Sequence, residues 1–168
     1  MELWDLYNRS GVMLKTDHVR GELLPQGAYH KIINIIVQHT DGDYLVMKRS
    51  EDKASCAGEY ELSAGGSTIK GEDFEEGARR ELWEETGIQA DVLYEISPVN
   101  VLEEKHYLQR DYYCITDIKK DAIQLQEGET QGYQWMSEAQ VLEIAHKDSL
   151  VRLSAEVIDK INDIKQNR

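Results

Sequence analysis

Residues 65–88 read GGSTIKGEDFEEGARRELWEETGI, and this stretch decides the fold. From Phe74 to Thr86 the pattern is helical: Asp73 can cap the start with Glu76 three positions on, and Gly87 suits the left-handed residue that ends a helix. At about 100° per residue, Glu81, Glu84 and Glu85 project from one face of that helix. Like charges at this spacing repel by roughly a few tenths of a kcal/mol per pair. Neither Glu81 nor Glu85 is followed four residues later by Lys or Arg to offset that. A solvated acidic face is the plain explanation of such a cluster. The other is a divalent cation, because hard cations such as Mg²⁺ take oxygen ligands from carboxylates, water and phosphate.

The wider spacing separates the two. Gly66 is followed after five residues by Glu72, and Glu72 after seven by Arg80-Glu81-Leu82, then Glu84-Glu85 and Gly87-Ile88. Every fixed position of the Nudix signature, G-x5-E-x7-R-E-U-x-E-E-x-G-U with U a bulky aliphatic residue, is met. The chain therefore resembles the Nudix hydrolase superfamily, and the flanking pattern extends the similarity over most of 29–136. The resemblance implies an α/β fold, a Nudix-type α/β/α sandwich with a mixed β-sheet. It implies Glu81, Glu84 and Glu85 as ligands of Mg²⁺ or Mn²⁺, with Glu84, Glu85 and Arg80 in the catalytic set. Arg80, a planar fork, can orient Glu72 or a ligand carboxylate. Gly65 and Gly66 are expected to make a turn that packs tightly against the helix start. Leu82 and Ile88 read as core, with Trp83 undecided. In the family a glutamate six residues before a Trp often serves as a further metal ligand or as the base; that spacing selects Glu129, ahead of Trp135, over Glu127. Ordinary exposed loop acids are the alternative for both.

Within the superfamily the chain looks most like the branch related to isopentenyl-diphosphate isomerases, through Tyr29-His30, Lys48-Arg49-Ser50, Lys53 and Gly58. It departs from that branch where the chemistry lies. Gly65 stands at the position of the isomerase cysteine, Ser67 at that of a histidine two residues on, and Leu23 at that of a further histidine ligand. Cys56 and Cys114 fall elsewhere. What the resemblance leaves is a metal-dependent diphosphohydrolase that cleaves a nucleoside diphosphate linked to another moiety, or a related small organic pyrophosphate. Arg49 and Lys53 are the substrate-binding residues it implies. His30, without its partner histidines, reads more readily as structural. Residual isomerase activity and a non-catalytic nucleotide-sensing module are the alternatives; a sensor is expected to have lost a motif glutamate, and all are retained.

Outward from the motif, residues 2–8 and 11–15 read as short strands around Arg9-Ser10-Gly11, followed by an irregular stretch to Gly27. Lys31 to Val37 and Tyr44 to Met47 form a hairpin about Asp41-Gly42. Strands are expected near 91–101, 106–116 and 130–136, and helices near 137–146 and 148–165, the last from the spacing of Leu150, Leu153, Val157, Ile158, Ile161 and Ile164. Alternating Tyr107, Tyr112 and Tyr113 fit packing in a strand.

The 168 residues carry 19 Lys and Arg against 32 Asp and Glu, a net charge of −13. One domain over 1–168 is expected, with a strand extension at 1–27 and a C-terminal helix at 148–168. So acidic a chain argues against a nucleic-acid polymer or an anionic membrane as partner, and suits anions reached through cations. No apolar run has membrane-spanning length and Met1 to Ser10 lacks a signal-peptide pattern, which points to the cytoplasm. Cys56 and Cys114 lack metal or disulfide spacing. Exposed strands in 1–27 could add to a partner's sheet edge, so the expected partners are a small-molecule diphosphate and a second copy of the chain.

Overall fold

A computed structural model describes residues 1–52, 58–126, 128, 130–146, 150–151 and 155–167. The chain opens with an antiparallel hairpin of β1 (Leu3–Tyr7) and β2 (Met13–Val19). β2 extends into the stretch expected to be irregular, and its first five residues are exposed. β3 (His30–His39) and β4 (Tyr44–Arg49) form the hairpin at Asp41-Gly42, where Gly42 takes φ 103, a conformation that only glycine adopts without strain. Then follow β5 (Tyr60–Leu62), β6 (Ala64–Ser67), α1 (Phe74–Thr86), β7 (Tyr94–Glu95), β8 (Asn100–Leu102), β9 (Tyr107–Thr116), β10 (Thr130–Met136), α2 (Glu138–His146), β11 (Leu150–Val151) and α3 (Ala155–Gln166).

The nine strands after the first hairpin form one mixed sheet, ordered β11-β5-β4-β3-β9-β7, with β6 on β3, β10 on β4 and β8 on β9. β3 is its axis, parallel to β9 from His30 to His39 and antiparallel to β6 from Ile32 to Ile35. Side chains alternate across it. Ile33, Ile35 and Val37 join Leu45, Met47 and Tyr112 in a core with Ala78 and Leu82 of α1. On the opposite side Ile36, Tyr44, Val46 and Tyr113 pack with Val141 of α2 and Ile158 and Ile161 of α3. The result is the α/β/α sandwich expected. Full burial of side chains such as Ile35 and Leu82 contributes about 1.5–3 kcal/mol each.

Three stretches differ from the expectation. Residues 91–101 hold only the short β7 and β8, with Pro98 between them; proline has no N–H to give a ladder. The C-terminal helix begins at Ala155 rather than 148, because Leu150 and Val151 instead pair in parallel with Tyr60 and Glu61 at the edge of β5. Leu153 lies outside the described residues. Gly65 and Gly66 are not a turn: both lie within β6, opposite Asn34 and Ile33. Among the described residues no helix is long and apolar enough to cross a membrane.

Candidate active site

The motif helix is delimited as its sequence dictates. Asp73 accepts from Glu76 N–H at 2.9 Å, Glu76 accepts in return from Asp73 N–H at 2.9 Å, and Gly87, at φ 73, donates to the Trp83 carbonyl at 2.8 Å. These caps set the rotation of α1 about its axis. Leu82 turns into the core, Trp83 outward at 49% exposure, and Glu81 and Glu85 toward β6.

Two consecutive glycines receive them. A Cβ on Gly66 would stand 2.5 Å from Glu81 Oε1, so the carboxylate occupies the space that any side chain there would fill. Gly65 N–H donates to Glu85 Oε2 at 3.2 Å. A Cβ on Gly65 would meet the Ile33 carbonyl oxygen at 2.7 Å and Asn34 Oδ1 at 2.9 Å. The tight approach foreseen for this pair is therefore real, although it is made by a strand.

Arg80 holds the acidic set together. Its Nε and Nη2 donate to the two oxygens of Glu72 at 2.7 and 3.0 Å, and Nη2 donates also to the Ser67 carbonyl at 3.0 Å. Nη1 donates to Glu81 at 2.8 Å and to Glu84 at 3.1 Å. The like-charge repulsion expected along the helix face is thus offset by a guanidinium that precedes the glutamates. Burial opposes the charge on Arg80, yet the bonds and charges of Glu72 and Glu81 outweigh it and raise its pKa. Burial pushes the Glu81 carboxyl up; the Arg80 guanidinium pulls it down, and the charges of Glu84 and Glu2 add to the rise. Lys70 N–H donates to the Leu3 carbonyl at 2.8 Å, so the N-terminal strand lies against the segment that leads into α1.

No group of three Asp, Glu, His or Cys side chains is gathered as a metal cluster among the described residues. The donor set nonetheless suits a hard cation. Glu81 and Glu85 approach adjacent glycines in a cradle that a Cβ would fill, and Glu84 is tied to Glu81 through Arg80. Arg49, expected to meet the substrate, is buried, its Nη1 donating to Glu61 Oε2 at 2.8 Å. Lys53, Glu127 and Glu129 lie outside the described residues, as does Cys56.

The remaining isomerase positions are closed to that chemistry. The crowding at Gly65 leaves no room for a cysteine side chain without a backbone shift. Leu23 is 95% exposed, and burial pushes the Cys114 thiol up to about 12, so it stays protonated. His30 is buried, stacked on Trp4 at 4.0 Å and edge-on to Tyr107 at 4.8 Å. Burial, then the positive charges of Arg20 and His18, press its pKa down to about 4.

One polar group at the site escapes the sequence reading. Asn34 on β3 is buried, and its Nδ2 donates to Asp111 Oδ1 on β9 at 2.7 Å; Gln109 Nε2 donates to the same oxygen at 2.9 Å. The signal available is a single amide inside the apolar run Ile32 to Val37.

A model of the NUDIX domain matches residues 28–159. The chain belongs to the Nudix family. It is 35% identical over 132 residues to a Nudix hydrolase of Listeria monocytogenes, covering 77% of this chain and 76% of the relative. It is 28% identical over 135 residues to an isopentenyl-diphosphate Delta-isomerase of Pectobacterium atrosepticum, covering 76% of this chain and 70% of that enzyme, in keeping with the branch resemblance. In fold, a crystal structure from Deinococcus radiodurans superposes with a TM-score of 0.68 at 20% identity, covering 88% of this chain and 91% of the other. As a Nudix hydrolase the chain belongs among enzymes that generally use divalent metal ions.

Proposed function

We propose that this Nudix hydrolase is a diphosphohydrolase dependent on Mg²⁺ or Mn²⁺, cleaving a nucleoside diphosphate linked to another moiety or a related small organic pyrophosphate. The observation that carries the reading is the approach of Glu81 and Glu85 to the Gly65–Gly66 pair, with Glu81 held by Arg80 and Glu85 by Gly65 N–H. When bound, the metal neutralises charge that builds on the phosphoryl oxygens and the leaving group. Glu81, Glu84 and Glu85 would hold it through their carboxylates. Arg80, bonded to Glu72, Glu81, Glu84 and the Ser67 carbonyl, keeps Glu81 and Glu84 oriented before substrate arrives. Glu84 reaches solvent, with its side chain 43% exposed, which suits a ligand on the side open to substrate. Glu129 as a further ligand or base and Lys53 as a diphosphate contact complete the proposal. Arg49, engaged with Glu61, acts by bracing β4 and β5 or by exchanging that partner for phosphate.

The test is anhydride cleavage of nucleoside diphosphates, sugar nucleotides, dinucleotide cofactors and isopentenyl diphosphate with each metal, read by separating the monophosphate products. Glu85→Gln preserves shape and a possible bond to Gly65 N–H but removes the charge. Turnover is expected to fall about 100-fold or more with the melting temperature nearly unchanged. Wild-type turnover in that variant overturns the site. Silence of the wild-type chain across the panel, with nucleotide binding retained, would favour a sensor.

A further inference from the structure

Cross-strand neighbours share a face of a sheet. β3 sets Asn34 opposite Gly65 on one side and Asp111 on the other, so Gly65, Asn34 and Asp111 form a row across three strands. At the usual spacing between strands, Asn34 lies about 5 Å and Asp111 about 10 Å from Gly65. Gly65 is also the residue whose N–H meets Glu85. The side chains of the row lie on the face of β3 opposite the core that mounts α1, and Glu85 meets the row at its Gly65 end, so the row leads away from that carboxylate by the reach of a group attached to a diphosphate.

The hydrogen bonds dictate what this row presents. A carboxylate only accepts, so Asn34 must turn its amide nitrogen to Asp111, and its carbonyl oxygen is left without a partner among the described residues. Asn34 is 6% exposed, so that oxygen is a buried acceptor with no donor. Such groups are rare in folded proteins and call for an explanation. Asp111 receives Asn34 at 2.7 Å and Gln109 at 2.9 and 3.2 Å, fixing the carboxylate while leaving it acceptor capacity. It is only partly buried.

We propose that Asn34 and Asp111, with Gln109 bracing Asp111, form a recognition subsite for the hydroxyl groups of a sugar carried on the diphosphate. Two acceptors side by side match vicinal hydroxyls, each of which has a proton to give. A phosphate brings no donor and meets the Asp111 charge, and an isoprenoid tail would leave both acceptors unpaired. The subsite thus selects sugar-bearing diphosphates over isoprenoid ones, a choice consistent with the closed isomerase position at Gly65. The inference rests on the assignment of Glu81, Glu84 and Glu85 to the diphosphate end.

Calorimetric binding of ADP, and of its analogue lacking both ribose hydroxyls, each with a methylene bridge that cannot be hydrolysed between the phosphorus atoms, tests it in the presence of Mg²⁺. ADP is expected to bind about tenfold tighter, because the analogue strands polar groups of the site. Asn34→Leu, similar in size without the acceptor, should bring the ratio close to one by weakening ADP alone. Asp111→Asn, which retains shape, should lower the ratio as well and serves if the leucine variant does not fold. Equal binding of the two ligands by the wild-type chain, no binding of either, or an unchanged ratio in the folded variants overturns the subsite. Neither ligand can be cleaved, so a failure of the hydrolase reading shows in the turnover panel while the binding ratio is judged separately.

Discussion

The two faces of β3 are built on different rules. Toward α1, Ile33, Ile35 and Val37 are each 0% exposed and wholly apolar, and they anchor the helix that carries the acidic cluster. On the other face His30, Asn34 and Gln38 are buried beside Ile36, and Gln38 accepts from the Tyr113 hydroxyl at 2.6 Å. The apolar face gives a rigid mount for chemistry performed at its edge. The polar face keeps groups whose burial is costly unless each is met by a partner, and among the described residues Asn34 Oδ1 and His30 Nδ1 are not met.

Mutating adjacent residues on the two faces sharpens this contrast most. Ile35→Ala is expected to lose about 2–5 kcal/mol and to lower turnover as well, since the cavity opens in the core that positions α1. Ile36→Ala should cost a similar amount in a urea titration while turnover of the folded fraction is kept. Equal losses of turnover would break the comparison.

The next effect is on pH. The folded state favours a neutral His30, with its pKa pushed to about 4 from 6.5, so its contribution is complete above 6.5. As pH falls from 6.5 toward 4 the unfolded chain takes the proton first and stability drops, by on the order of 3 kcal/mol at most. Urea midpoints near neutrality and near the lower limit should diverge in the wild-type chain and draw together in His30→Phe, which keeps a ring against Trp4. The smallest effect is at the end of the mount: Asp73→Ala removes the cap of α1 and should cost about 1 kcal/mol, read as a lowered melting temperature. No change there would mean that packing alone fixes the helix start.

Legibility followed the range of the interactions. α1 was readable to its terminal residues because Asp73, Glu76 and Gly87 act within one turn of the helix they delimit. The β3–β4 hairpin was readable for the same reason, through Asp41-Gly42 and β-branched runs. β5, β6 and β11 were missed. Each has only two to four residues and exists as a strand through pairing with a distant segment. The apolar spacing of 150–164 read as one helix, although its first residues found a partner at the edge of β5.

The candidate site divides in the same way. The sequence by itself determined the acidic face of α1, its caps and the glycine at position 66, because these follow from helical period and motif spacing. Only the tertiary structure decided that Arg80 joins Glu72, Glu81 and Glu84, that Arg49 turns to Glu61, and that Asn34 and Asp111 meet beside Gly65. Of these, the Asn34–Asp111 contact spans 77 positions in the chain and depends on the parallel register of β3 and β9, which no local pattern of residues encodes.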